Sequence, residues 1–212
     1  MNVLAIDTAS PSPAVALLVG GRLFEEPLPS DRRASEELLP AVQRVLAASG
    51  AQLEDCGRLA VCSGPGSFTG TRIGLATAWG LGRALSIPVE PVSTLEAMAE
   101  AARPDAGALV TAVLDAGRGE LVVEQFALDG PRARPLSAPE RVPHEEAAER
   151  AETGAWITLP PTLLREQGRV LSMRVASGLA LAVARAPRLD ASAPMKATYS
   201  RPSAAEEKRG AS

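Results

Sequence analysis

The feature that most constrains this chain is a glycine-rich run at residues 64–70, which lies between a short apolar segment and a long stretch of helical character. The pattern predicts a strand at 59–62 and a helix that ends near residue 85. Backbone N–H groups at such a helix start can hold an anion. However, no Gly-Lys-Ser/Thr sequence follows, and the third glycine comes one residue late for a dinucleotide-binding loop. Two interpretations stay open: a tight structural turn, or an anion loop formed by Gly64, Gly66, Ser67, Thr69 and Arg72.

The helix after this run carries small residues at every fourth position, Gly70, Gly74, Ala78 and Gly82. Glycine inside a helix costs up to about 1 kcal/mol relative to alanine. Such a stripe therefore indicates that another backbone approaches this helix closely. The pattern allows either packing within the chain or an interface with another subunit.

The first half of the chain alternates short apolar runs with amphipathic stretches. Strands are predicted at 3–6, 14–19, 22–26 and 87–92, and a capping box at Ser93 and Glu96 predicts a helix up to residue 102. Another helix is predicted at 35–49, with a late start or a kink at Pro40. Its apolar stripe consists of Leu38, Leu39, Val42, Val45 and Leu46.

The second half begins like the first, because a strand ends in an aspartate before a turn and a second strand at both Asp7 and Asp115. This repeat suggests a duplicated α/β fold. After a boundary near 103–105, strands are predicted at 109–114, 121–128 and 155–159. Helices are predicted at 145–151 and 174–186, and residues 137–143 form a proline-rich connection. We expect subdomains at 1–102 and 103–199, followed by a polar tail at 200–212.

The two strand-end aspartates have two interpretations. In actin-like nucleotide-binding folds such positions face a metal–phosphate site, and carboxylates suit Mg²⁺. Thr8 and Ser10 would lie beside Asp7 in that site, but no glycine follows Asp7 to let a phosphate approach the backbone. In the alternative, Asp7 and Asp115 only cap turns.

Charge and composition argue against several classes of function. The formal net charge is -3, which lacks the basic footprint of a protein that binds nucleic acid strongly by itself. The single histidine, His144, is expected on the surface at a helix start, and Cys56 and Cys62 cannot complete a zinc site alone. We therefore expect no metal site and no catalytic residue. With no apolar run long enough to span a membrane and no leader before the first strand, we expect a cytoplasmic protein with reduced thiols.

Residues 64–74, Gly-Pro-Gly-Ser-Phe-Thr-Gly-Thr-Arg-Ile-Gly, closely resemble the signature of the TsaB family, which takes part in tRNA threonylcarbamoyladenosine synthesis. Residues 6–9, 35–40 and 87–97 resemble the same family, and Tyr199 and Arg201 extend the resemblance weakly towards the end. The chain departs from the family at Ala34, where a histidine is usual, and at Gly117 and Val122.

The resemblance implies an actin-like ATPase (ASKHA) fold with an RNase H-like core in two subdomains. It also implies a non-catalytic subunit that pairs with a TsaD-type transferase, is joined by a TsaE-type P-loop ATPase, and meets tRNA through the complex. The resemblance implies no required cofactor. It is compatible with weak ATP or ADP binding, with Mg²⁺, at the cleft or interface. It is also compatible with a homodimer in the absence of the partner.

In this family the interface uses the first two long helices. The expected interface residues are Leu38, Leu39, Val42, Val45, Leu46, Gly70, Ile73, Gly74, Thr77, Ala78, Leu81 and Gly82. Two other functions stay open: an ATP-binding kinase or ATPase of the actin-like fold, and, more distantly, a glycoprotease-like hydrolase.

Overall fold

Two mixed β-sheets, one from each half of the chain, carry the architecture. The computed structural model describes residues 1–30, 34–103, 109–149, 155–159 and 175–185. The expected tail at 200–212, with Tyr199 and Arg201, lies outside these ranges. No helix in the described ranges is both long and apolar enough to cross a membrane.

The first sheet has the strand order β3-β2-β1-β4-β5. Its strands are β1 (Asn2–Asp7), β2 (Ala14–Val19), β3 (Arg22–Pro27), β4 (Cys56–Cys62) and β5 (Val89–Val92). The first three form an antiparallel meander, and β4 and β5 run parallel to β1. This is the arrangement of an RNase H-like sheet, so the predicted α/β fold of this class is confirmed.

Helices cover both faces of this sheet, which explains why its central strands are continuous apolar runs. On one face lie α1 (Ala34–Ser49) and α2 (Phe68–Leu85), which pack on Leu4, Ile6 and Val61. On the other face lie α3 (Thr94–Ala102) and α5 (Val175–Arg185), with Ala5 and Ala60 among their neighbours.

The second sheet repeats the first four strands of this order. Its strands are β6 (Leu109–Gly117), β7 (Glu120–Ala127), β8 (Arg134–Pro135), β9 (Glu140–Pro143) and β10 (Ala155–Leu159), and α4 (His144–Glu149) follows β9. β7 lies antiparallel to β6 and to β9, and β10 lies parallel to β6. The predicted repeat is therefore present. The subdomain bounds at 102 and 199 stay a prediction.

Two features near prolines differ from expectation. Helix α1 begins at Ala34 and contains Pro40, so the late start is wrong, whereas a kink at Pro40 stays a prediction. The segment predicted as a connection contains the strand β9, whose terminal Pro143 pairs with Glu120. Proline is tolerated at the end of an edge strand, where its missing N–H breaks no central ladder.

Charged side chains of α3 connect the two halves. Glu100 is completely buried and accepts hydrogen bonds from Arg103, Arg185 of α5 and the backbone N–H of Ala133. Burial alone would raise the pKa of the Glu100 carboxyl, but these donors and the charges of both arginines outweigh it and lower the pKa. A buried carboxylate satisfied from three segments holds α3, α5 and the turn after β7 together.

Glu124 on β7 is a second buried carboxyl, but it is poorly satisfied. Its side chain points to the same apolar face as Val122 and Phe126. Its Oε2 atom has no hydrogen-bond partner among the described residues. Burial, together with the charge of Glu96 on α3, raises the pKa of Glu124 from 4.5 to about 7.

We predict that this carboxyl makes the fold less stable as the pH rises. Because the folded-state pKa lies above the unfolded value, the native state binds more protons than the unfolded state between pH 4.5 and about 7, so the stability falls progressively across that window. Glu124→Gln should therefore be more stable than the parent at pH 8, by roughly 1–3 kcal/mol, with little difference at pH 5. Urea unfolding across this pH range measures the effect. Glu54→Gln, at an exposed position, is the control; an equal response from both variants would contradict the assignment.

Candidate functional site

The end of β1 places a fully buried carboxylate at the centre of the candidate site. Asp7 Oδ1 accepts hydrogen bonds from the backbone N–H groups of Ala9 and Ser10, both at 3.0 Å, and Oδ2 accepts one from the Ser10 hydroxyl. Complete burial raises the pKa of the Asp7 carboxyl, while the bonds from Ser10 and Ala9 act in the opposite direction. This carboxylate caps the β1–β2 turn.

The glycine-rich loop lies directly against that turn. The backbone N–H of Ser67 donates to the carbonyl oxygen of Ala9 at 2.8 Å. Gly66 has a φ of 157°, and a Cβ built on it would overlap the same carbonyl group. The Gly64–Pro65 peptide is cis. The loop therefore requires glycine for close backbone approach within the chain.

Helix α2 starts from this loop with a regular cap. The Ser67 hydroxyl accepts a hydrogen bond from the N–H of Gly70 at 3.1 Å, as expected for an N-cap serine. The carbonyl oxygen of the same Gly70 accepts a hydrogen bond from the Thr8 hydroxyl at 2.6 Å. A Cβ on Gly70 would overlap the carbonyl oxygen of Thr8. Helix and strand end thus meet backbone to backbone.

Two residues that sequence reasoning missed complete the loop. The Thr94 hydroxyl donates to the carbonyl oxygen of Pro65 at 2.6 Å. The backbone N–H of Thr94 donates to the carbonyl oxygen of Gly64 at 2.9 Å. Cys62 Sγ lies 3.0 Å from the Thr94 hydroxyl. Burial and the nearby charge of Asp7 raise the pKa of the Cys62 thiol. Two signals were available for Thr94: its position directly after the helix cap Ser93, and its place in the segment 87–97 that resembles the family.

A cavity of about 590 Å³ opens beside the starts of α1 and α2. Four of the predicted anion-site residues line it, namely Thr8, Ser10, Ser67 and Thr69. Asp7, Gly64, Gly66, Arg72 and Asp115 are not among the described residues that do so. The guanidinium of Arg72 instead stacks on the ring of Phe68, 3.7 Å from its centroid.

The two strand-end aspartates differ in their surroundings. Asp115 is exposed, and its Oδ1 accepts a hydrogen bond from the N–H of Gly117 at 2.6 Å. Asp7 is buried and has donors on both oxygens. Within the described ranges, no group of three or more His, Cys, Asp and Glu side chains could hold a metal ion. Both oxygens of Asp7 are thus already bonded to donors of the β1–β2 turn.

Helices α1 and α2 also form a shallow groove on the outer surface. Its volume is about 500 Å³, and its lining includes Leu39, Val42 and Leu46 of α1 and Leu81 of α2. Leu39 is 52% exposed beside this groove.

Comparisons with known proteins agree on one family. The model of the TsaD family, described as tRNA N6-adenosine threonylcarbamoyltransferase, matches residues 26–199. The tRNA threonylcarbamoyladenosine biosynthesis protein TsaB of Escherichia coli K12 is 36% identical over 184 residues, which cover 81% of this chain and 78% of that protein. This chain belongs to the TsaB family. Because the TsaD model also matches most of the chain, it lies within that wider family as well.

Other relatives extend this finding. The Haemophilus influenzae protein of the same name is 36% identical over 134 residues, covering 63% of this chain and 57% of that protein. The structure of YeaZ from Pseudomonas aeruginosa superposes with a TM-score of 0.72 at 28% identity, covering 86% of this chain and 90% of that one. The similarity to YeaZ therefore extends through both sheets.

The TsaB resemblance led us to expect twelve interface residues, and the structure corrects half of them. Leu38, Val45, Gly70, Gly74, Ala78 and Gly82 are buried against the chain's own sheet and retain no surface for a partner. The reason is that the stripe of small residues on α2 packs on Thr8, Val61 and Val89. Leu39, Ile73, Thr77 and Leu81 remain accessible, and Val42 and Leu46 form the floor of the groove.

A pair of glycine substitutions in α2 tests this correction. Gly70→Ala should lower the free energy of unfolding by roughly 2–4 kcal/mol, because the added methyl group overlaps the Thr8 carbonyl and neither backbone can yield. Gly80→Ala, with nothing within 4 Å of the new methyl group, should gain up to about 1 kcal/mol from helix propensity. Urea unfolding of the isolated chain measures both. Equal stabilities for the two variants would show that the stripe does not pack internally.

Proposed function

We propose that this chain is the non-catalytic partner and activator of a TsaD-type transferase, which adds threonylcarbamoyl to N6 of adenosine in the tRNA anticodon loop. The observation that carries the proposal is the outer surface of α1 and α2. There an apolar groove and the exposed Leu39 stand above a helix pair fixed to the sheet. A partly apolar, rigidly mounted surface of this kind suits a protein partner.

The chemistry of the β1 end supports a non-catalytic role. A carboxylate that served a metal or a proton transfer would need a free oxygen directed at a substrate. Both oxygens of Asp7 are bonded to the turn that they stabilise, and Cys62 is buried with its thiol pKa raised. This geometry does not favour the alternative of a kinase or ATPase that uses Asp7 with Mg²⁺.

The cavity beside Thr8 and Thr69 is our candidate for weak ATP or ADP binding through hydroxyl groups, and the proposed activity requires no cofactor in this chain. A TsaE-type P-loop ATPase would join the pair, and tRNA would be bound through the complex. In the absence of the transferase, the same groove would support a homodimer. Free, buried Cys56 and Cys62 are compatible with a cytoplasmic location.

Leu39→Glu tests the proposed interface. A charge in the centre of an apolar contact would be buried without a partner, so association with the TsaD-type protein should weaken at least about 100-fold. The stability of the isolated chain should hardly change, because Leu39 is half exposed. Calorimetric titration measures the affinity, and mass spectrometry of tRNA nucleosides measures the modification, which should fall with it.

Leu136→Glu is the matched control, since Leu136 is 45% exposed beside the second sheet, next to β8. It should leave both the affinity and the modification unchanged. If purified chain alone formed threonylcarbamoyladenosine in tRNA from the activated intermediate, the non-catalytic role would be wrong. If Leu39→Glu bound the partner as well as the parent does, the groove would not be the interface.

A further inference from the structure

The outer flank of α2 carries aromatic side chains next to arginines. Arg83 lies 5.7 Å from the centroid of the Trp79 ring, and one end of the same flank holds the stacked Arg72 and Phe68. Trp79 is 56% exposed and Arg83 is also exposed. Among the described residues, none forms an ion pair with Arg83.

This flank is separate from the groove between α1 and α2. Leu81 lines the groove, and successive helix residues are rotated by about 100°, so Trp79 and Arg83 each point about 160° away from Leu81. Arg72 is likewise turned by about 100° from Ile73, which lines the cavity beside α1. A protein seated in the groove would leave the flank accessible.

The charge of the flank is opposite to that of the chain as a whole. Helix α2 contains two arginines and no acidic residue, whereas the formal net charge of the chain is -3. The two arginines are about 16 Å apart along the helix. The intervening Trp79 offers an aromatic face beside a guanidinium. Arginines that contact phosphates, combined with an aromatic ring on which a base stacks, are the usual elements of single-stranded nucleic-acid binding.

The glycine stripe on the sheet-facing side of α2 gives this flank a fixed position. Because Gly70, Gly74 and Gly82 bring the α2 backbone against strands β1 and β5, the helix cannot shift without overlap. Trp79 and Arg83 are therefore presented from a rigid support, which reduces the entropy lost when they bind a ligand.

We propose that the Trp79–Arg83 flank of α2 contacts the tRNA substrate, with Trp79 stacking on an unpaired base and Arg83 contacting a phosphate. This inference rests on the proposed function, since it places the tRNA on the complex of this chain with its transferase partner. An acidic protein surface would be the other anionic occupant. The exposed indole beside the guanidinium favours a nucleobase and a phosphate together.

The experiment uses the assembled complex of the full chain with the TsaD-type partner and a fluorescently labelled, unmodified tRNA transcript. Fluorescence anisotropy gives the Kd at several KCl concentrations. Trp79→Ala should weaken tRNA binding roughly 5- to 100-fold, as the loss of one stacked base would. Arg83→Gln should weaken it about fivefold or more and reduce the slope of log K against log salt by about 0.7, the value for one phosphate contact to a single strand.

Arg22→Gln is the matched control, because Arg22 is an exposed arginine on β3, 5.5 Å from the centroid of the Phe24 ring. It should leave the Kd and the salt slope unchanged. Gel filtration of each complex without tRNA separates the two proposals, since failure of the parent chain to form the complex would contradict the proposed function itself. Unchanged tRNA affinity in both flank variants, no binding of tRNA by the parent complex, or loss of partner association in the variants would each overturn the tRNA contact.

Discussion

The backbone contact between Thr8 and Gly70 is the constraint on which this structure depends. Helix α2 can lie on the end of β1 only if position 70 has no side chain, and the Thr8 hydroxyl then reaches the Gly70 carbonyl at 2.6 Å. The same approach requires glycine at position 66, where the loop meets Ala9. A family signature that resembles an anion-binding loop is thus explained here by packing within one chain.

The same constraint determines what the first aspartate can do. Asp7 holds the turn against which α2 packs, through the N–H groups of Ala9 and Ser10 and the Ser10 hydroxyl. Turning this carboxylate towards a metal would leave those donors buried and unsatisfied, at about 1–3 kcal/mol for each group. The fold therefore retains a strand-end carboxylate of the actin-like type while using it for structure. Asp115, at the equivalent strand end, is exposed and caps only its own turn.

Sequence patterns predicted most of the elements but not the direction in which they face. Strand 14–19 and the Ser93 cap appear as expected, because apolar runs and capping residues are local signals. Whether an apolar stripe packs on its own sheet or on another chain depends on contacts distant in sequence, and Leu38 and Gly74 were assigned to the wrong surface for that reason. The loop ligand Thr94 was missed because its hydrogen bond to Pro65 spans 29 residues.

Buried charge was the least predictable feature. Arg58 and Glu90 form an ion pair between the neighbouring strands β4 and β5, with both side chains almost completely buried. In the sequence such residues suggest a solvent-facing position. Only the pairing of β4 with β5 brings them together, because burial of either charge alone would be strongly unfavourable. Arg58 and Glu90 lie far apart in the sequence, so no local pattern predicts their ion pair, however strong it is.

Helix α2 shows how one element can serve packing and recognition at once. Its inner face carries glycines, which let the helix backbone contact the sheet closely and so fix the helix in place. On its outer face, Trp79 remains more than half exposed although burial of an indole is strongly favourable. In the proposed tRNA contact, this exposed indole would stack on a base while the helix behind it stays fixed on the sheet. Under that proposal the glycine-rich run contributes to function indirectly, by fixing the helix that carries Trp79 and Arg83.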